Sequence, residues 1–159
     1  MRLQRQGLAT DLPRGWDGRI YQRASDETSD QAGGTTQQIL HAGNFALPVE
    51  RGDYGSGAVE VMRGGDVFVA LLEYDREAAG TPLFAREGFP WQVSASSFSP
   101  NRLQRALPGQ GGCQFFFTSA GRAYCLYVVL GSYANRERLV AQVNRLLASI
   151  TVSPREGSR

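Results

Sequence analysis

The strongest constraint in this sequence is a pair of apolar runs on either side of a turn. Residues 113–118 (CQFFFT) and 122–130 (RAYCLYVVL) flank Ser119-Ala120-Gly121. Both runs have strand length and are rich in aromatic and β-branched residues, so together they read as a tight antiparallel hairpin. A second pattern follows. Beyond Ser132, the residues Leu139, Val140, Val143, Leu146, Leu147 and Ile150 fall at offsets 0, 1, 4, 7, 8 and 11. At the helical period of about 3.6 these make one stripe, with Arg138, Gln142 and Arg145 pointing away from it. A third run, 67–74 (VFVALLEY), is nearly unbroken and predicts a strand covered on both faces. One helix covers one face, so the other needs a second layer. The segment 75–108 is the expected source, with a short helix opened by Ser99 as cap and Pro100 at its first position.

The fold class expected is therefore α+β. A mostly antiparallel sheet is flanked by a long C-terminal amphipathic helix and by a second helical or loop layer. Residues 1–153 are expected to form a single domain and 154–159 a disordered tail. Elsewhere, 7–12 reads as a short strand ending at Pro13, 14–18 as a turn, 19–23 as a second strand and 38–46 as a third. The polar stretch 24–37, with its Gly pair, reads as a flexible loop. Residues 58–62 fit either one helical turn or a strand; Ser56 as a cap favours the helix. Residues 150–152 suggest a closing strand.

Composition removes several chemistries. All 17 basic residues are arginine, and there is one histidine. A chain without lysine forms no pyridoxal phosphate Schiff base and has no P-loop lysine. One histidine excludes a multi-histidine metal site within the chain. No cofactor and no metal are expected. A net charge of +2 is small for a nucleic-acid binder, so no nucleic-acid partner is expected. No stretch approaches the roughly 18 apolar residues of a membrane span, and the N-terminus carries charge without an apolar core behind it. A cytoplasmic protein without membrane insertion is the expectation. The charge is split, however. Residues 1–80 hold 8 Arg and 12 acids, and residues 81–159 hold 9 Arg and 3 acids. Such asymmetry points to an anionic partner or to self-association.

The candidate chemistry is sparse. His41 needs a nucleophile such as Ser56 or Cys113 and an orienting acid such as Asp53 to be catalytic, and no motif surrounds them. Cys113 and Cys125 sit on partner strands of the hairpin. A two-residue turn at Ala120-Gly121 sets Cys125 opposite Phe116 rather than Cys113, which favours free buried thiols. Arg51-Gly52-Asp53 matches an adhesion tripeptide, a frequent coincidence in a chain rich in Gly and Arg. Glu73, Asp75 and Glu77 have strand-like spacing and oxygen ligands for a hard cation, though a solvated strand end explains them as well. Trp16, Phe89, Trp91 and Phe98 lie in loop-like segments and serve as core plugs or as binding anchors. Phe89 and Trp91 mark the expected exposed apolar patch. Arg136, Arg138 and Arg145 on the last helix offer guanidiniums to a carboxylate-rich partner.

Leu12-Pro13-Arg14-Gly15-Trp16 resembles the strand–Pro–x–Gly–Trp opening of Mog1/PsbP-like domains. The closing order of hairpin, amphipathic helix ending in Leu147-Ala148-Ser149-Ile150, and short strand is similar to that fold too. The lysine-free composition also resembles that of small actinobacterial proteins. The resemblance implies an α/β/α sandwich used as a non-enzymatic binding module. Members of that group include a Ran-binding protein, a photosystem extrinsic subunit and small chaperones for secreted bacterial effectors. The expected function is a non-catalytic protein-interaction module (adaptor, chaperone or assembly subunit), with another protein or a second copy as partner. The alternative is a small-molecule binder or enzyme with a pocket around His41 and Tyr54.

Overall fold

A computed structural model describes residues 1–23 and 37–154. The expected flexible loop at 24–37, apart from Gln37, and the expected tail beyond Pro154 lie outside the described residues. Eight strands and one α-helix stand among the described residues: β1 (Arg2–Arg5), β2 (Leu8–Asp11), β3 (Asp17–Gln22), β4 (Gln38–Gly43), β5 (Val67–Glu73), β6 (Gly111–Ser119), β7 (Arg122–Leu130), α1 (Arg136–Leu147) and β8 (Thr151–Val152). They form two antiparallel sheets. The larger has the order β3-β4-β5-β7-β6, and the smaller β1-β2-β8. The class is α+β.

The apolar runs become the centre of the large sheet because both of their faces are covered. Along β5, Val67, Val69 and Leu71 face the cluster that holds α1, while Phe68, Ala70 and Leu72 face the opposite cluster. Every residue of β5 and β7 is buried. The hairpin register is the one a two-residue turn dictates: Ser119 opposes Arg122, Phe116 opposes Cys125, and both cysteines are free and buried. Ala120 and Gly121 have φ of 53° and 74°, the pair of positive values that a hairpin turn matching strand twist requires. Ala120 bears a steric cost there that glycine escapes and that asparagine offsets with a local side-chain hydrogen bond. Ala120→Asn is therefore expected to raise stability by about 0.5–1 kcal/mol in urea unfolding.

Helix α1 lays Leu139, Val140, Val143, Leu146 and Leu147 into the core, with Ile150 buried just past its end; Arg138 and Arg145 are exposed. It is three turns long and begins at Arg136, later than Ser132 suggests. The Ser132 hydroxyl accepts from the Asn135 N–H at 3.3 Å and shapes a preceding turn instead.

The second cover differs from the expectation. It is built chiefly from the segment after β4, where Leu47, Tyr54, Ala58, Val59 and Met62 pack with Leu103 and Leu107 against the face away from α1. The segment 75–108 is divided between the faces: Phe89, Val93 and Phe98 lie on the helix side. It contains three 3-10 turns and no α-helix. No helix starts at Ser99, because its backbone is already engaged. Its N–H donates to the Gly112 carbonyl at 3.0 Å and its carbonyl accepts from the Gly112 N–H at 2.9 Å. A long-range bridge overrides the local capping preference. Residues 58–62 do hold a single 3-10 turn, Val59–Val61. No helix of the described residues is long and apolar enough to cross a membrane.

Candidate functional site

Two places in the fold carry features that packing alone leaves unexplained. The first is the free edge of the large sheet. β6 is an edge strand, and its ends are tied down. Gly112 bridges Ser99 at one end; at the other, Thr118 bridges Glu87 in parallel, with its N–H donating to Arg86 O and its carbonyl accepting from Gly88 N–H. These bonds show that the backbone groups of Gly112 and Thr118 point away from β7. Antiparallel alternation then points those of Gln114 and Phe116 the same way, and no described residue takes them. The result is an open window of about five residues, roughly 16 Å of strand, between two closed ends. Grooves flank it on both faces. One, of about 380 Å³, runs from Phe115 to Arg86, Val93 and Ser97. The other, of about 420 Å³, lies between Gln114, Leu103 and Arg102. The Arg86 guanidinium sits 5.7 Å from the Phe115 ring. Neither Arg86 nor Arg102 has a carboxylate partner among the described residues.

The second place is a polar layer on the face away from α1. Along β3, strand alternation sets Asp17, Arg19 and Tyr21 on that face, and Arg19 lies directly across from His41. The loop after β4 closes over them. His41 is fully buried. Its Nε2 lies 2.8 Å from the Asp53 carbonyl and 3.3 Å from the Tyr21 hydroxyl, while Arg51 Nε donates to its Nδ1 at 2.8 Å. Nδ1 is thus an acceptor and Nε2 carries the proton, so the ring is neutral. Burial, reinforced by the Arg51 and Arg19 charges, holds its pKa down at about 4. Tyr21 donates to Asp53 Oδ1 at 2.8 Å and Arg23 Nε to Asp53 Oδ2 at 3.0 Å. Burial first, then the bond to Asp53, pushes the Tyr21 phenol upward.

His41 presents its basic nitrogen to the Arg51 guanidinium rather than to a nucleophile. It does meet Asp53, through the backbone carbonyl rather than the carboxylate, and it does not meet Glu60, which pairs with Arg105 at 3.0 Å. Cys113 is buried, and burial pushes its thiol up to about 12. Burial likewise raises Cys125. Tyr54 donates to or accepts from Tyr74 at 2.7 Å and packs edge-on to Tyr127. It belongs to the core layer rather than to a pocket with His41. Both charged side chains of Arg51-Gly52-Asp53 are turned inward to His41, Tyr21 and Arg23, so the tripeptide is not displayed.

The other candidates are scattered. Phe89 is buried, with its ring edge-on to Phe117 at 5.3 Å; it is a core plug and not a surface anchor. Phe98 is buried as well, and Trp16 is partly buried against the helix-side cluster. Trp91 is half exposed, and its indole N–H donates to the Ile150 carbonyl at 3.0 Å. The expected joint patch of Phe89 and Trp91 is therefore reduced to one face of Trp91. Arg136 folds back over the Tyr133 ring at 4.4 Å, while Arg138 and Arg145 remain exposed.

Glu73 is not at a solvated strand end. It is fully buried, and Arg122 grips it with Nε to Oε2 at 2.8 Å and Nη2 to Oε1 at 2.9 Å. Asp75 accepts from the Gln37 amide, and Glu77 lies in the exposed 3-10 turn Arg76–Ala78. The three acids share no site, and among the described residues no group of three or more His, Cys, Asp or Glu is placed to hold a metal ion.

Sequence reasoning missed the β6 edge. The signal was a run of side chains, whereas the open groups belong to the backbone. Only the observed bridges at Gly112 and Thr118 show which of them remain unpaired. No family model matches the chain, and neither a curated protein nor a solved structure matches it.

Proposed function

We propose that this protein is a non-catalytic protein-interaction module that takes an extended, acidic segment of a partner as an added strand on β6. The carrying observation is the window at Gln114 and Phe116, with outward backbone groups and a groove on either side. An added strand gains main-chain hydrogen bonds from the edge and places alternate side chains into the two grooves. Arg86 and Arg102, one in each groove, favour carboxylates. The surplus of arginine in residues 81–159 favours the same sign of partner. The Mog1/PsbP-like α/β/α sandwich, a fold associated with binding rather than catalysis, is the family reading that fits this use. The long C-terminal helix would be one outer layer and the loops after β4 the other. His41, fixed as a neutral connector, gives the enzymatic alternative no base.

Binding of a fluorescent, end-blocked peptide of mixed glutamate and valine, read by anisotropy, tests the proposal. Micromolar binding that weakens as salt rises is expected. Gln114→Pro should reduce it at least tenfold, because proline removes an outward N–H without touching the pairing to β7. Equal binding by wild type and Gln114→Pro contradicts the docking edge. A dimer that Gln114→Pro dissolves would put a second copy there in place of an acidic partner.

A further inference from the structure

We propose that Arg19 and Arg51 form an oxyanion site that takes the phosphate group of a small ligand, separate from the β6 edge. Three guanidiniums (Arg19, Arg23 and Arg51) gather on one sheet face around two carboxylates that are already committed. Asp53 accepts from Tyr21 and Arg23. Asp17 accepts from the Leu47 N–H at 2.8 Å. The Arg19 side chain donates no hydrogen bond to any described residue; its guanidinium lies over the Tyr21 ring at 4.7 Å, and its Nε is sealed from solvent without an acceptor. Arg51 spends one edge on His41 Nδ1 and the Pro48 carbonyl, which leaves Nη2 unengaged.

Three guanidiniums against two carboxylates leave positive charge uncompensated, and burial together with the Arg19 charge makes Arg51 harder to keep protonated, an effect that the nearby Asp17 charge only partly offsets. An anion relieves that imbalance. The stacking of Arg19 on Tyr21 and the anchoring of Arg51 on His41 hold both guanidiniums in place beforehand, so that the terminal nitrogens of Arg19 and Nη2 of Arg51 are the donors offered to phosphate oxygens. The buried neutral His41 is the post that orients Arg51.

The test titrates inorganic phosphate into the full chain at constant ionic strength, with sodium chloride as the balancing salt, and reads the arginine Nε–H resonances by NMR together with the melting temperature. Expected are saturable shifts of the Arg19 and Arg51 signals and a melting point several degrees higher than in chloride. Arg19→Gln should lose at least tenfold in apparent affinity. That variant removes no hydrogen bond, so it stays folded even if Arg51→Gln does not. Absence of the shifts, or an unchanged response in Arg19→Gln, overturns the site.

Discussion

Glu73→Ala will lower the unfolding free energy by about 3–5 kcal/mol and the melting temperature by roughly 10 °C. The reason lies in what Arg122 would lose. Its side chain is 2% exposed, and that of Glu73 is fully buried. Besides its two bonds to Glu73, Arg122 donates from Nη1 to the Gln6 carbonyl at 2.8 Å and to the Ser153 carbonyl at 3.1 Å. With the Gln38 amide turned so that its oxygen faces the guanidinium, Nη2 also donates to Gln38 at 2.9 Å. Every N–H of the guanidinium is then used. Gln6 lies in the β1–β2 turn and Ser153 follows β8, so one side chain fastens the small sheet to β4, β5 and β7 of the large one. Removing the carboxylate leaves a buried cation whose remaining partners are neutral. Arg122→Lys is expected to fail as well, because an ammonium cannot present donors in that planar fan. Urea unfolding measures the loss, and hydrogen exchange at Arg2–Asp11 should rise along with it. A cost under about 1 kcal/mol would show that the pair is not what joins the sheets.

Acid will unfold the protein in a histidine-dependent way. The His41 pKa of about 4 in the native state is below the free value of about 6.5. The unfolded chain therefore binds a proton that the native protein refuses. The stability from keeping His41 neutral is fully present above about pH 6.5 and is lost as pH falls towards 4, to a total of about 3 kcal/mol. Carboxylates add their own acid dependence, so the informative quantity is a difference. Between pH 6.5 and 4 the wild type should lose about 3 kcal/mol more than His41→Gln. Parallel curves for the two proteins would mean that the ring is free to charge in the folded state, and the Arg51–His41 contact would fall with it.

The parts of the fold that were legible in the sequence are those set by short-range pattern. The run at 67–74 is apolar on both faces because both faces are covered. The hairpin register follows from the turn length alone, which is why Phe116 opposite Cys125 was readable. The helical stripe holds through Leu147, and Ile150 is buried just past the helix end. What escaped depends on long-range partners. β1 shows no apolar alternation; its sequence RLQR is held by backbone pairing to β2. Glu73 and Arg122 stand 49 residues apart, so a buried bidentate pair looked like a strand end beside a hairpin arginine. Ser99-Pro100 carries a sound helix-start signal, yet the bridge to Gly112 claims its backbone. Phe89 looked like an anchor in a loop because nothing local shows that Phe117 lies beneath it.

The charge asymmetry of the sequence is partly dissolved and partly kept. Arg122–Glu73 and Arg105–Glu60 each join an arginine of the second half to an acid of the first. Arg86, Arg102, Arg138 and Arg145 have no carboxylate partner among the described residues. Two of those four border the β6 window, which links the composition to the proposed docking edge.

The most direct test of that edge is amide hydrogen exchange at Gln114 and Phe116, measured with and without the glutamate–valine peptide. Their N–H groups point away from β7, so they should exchange faster than the inward-facing amides of Phe115 and Phe117 in the free protein. A bound strand should slow them, with little change at Phe115 and Phe117. Protection of Gln114 and Phe116 that is already high without peptide, or unchanged by saturating peptide, would contradict the account.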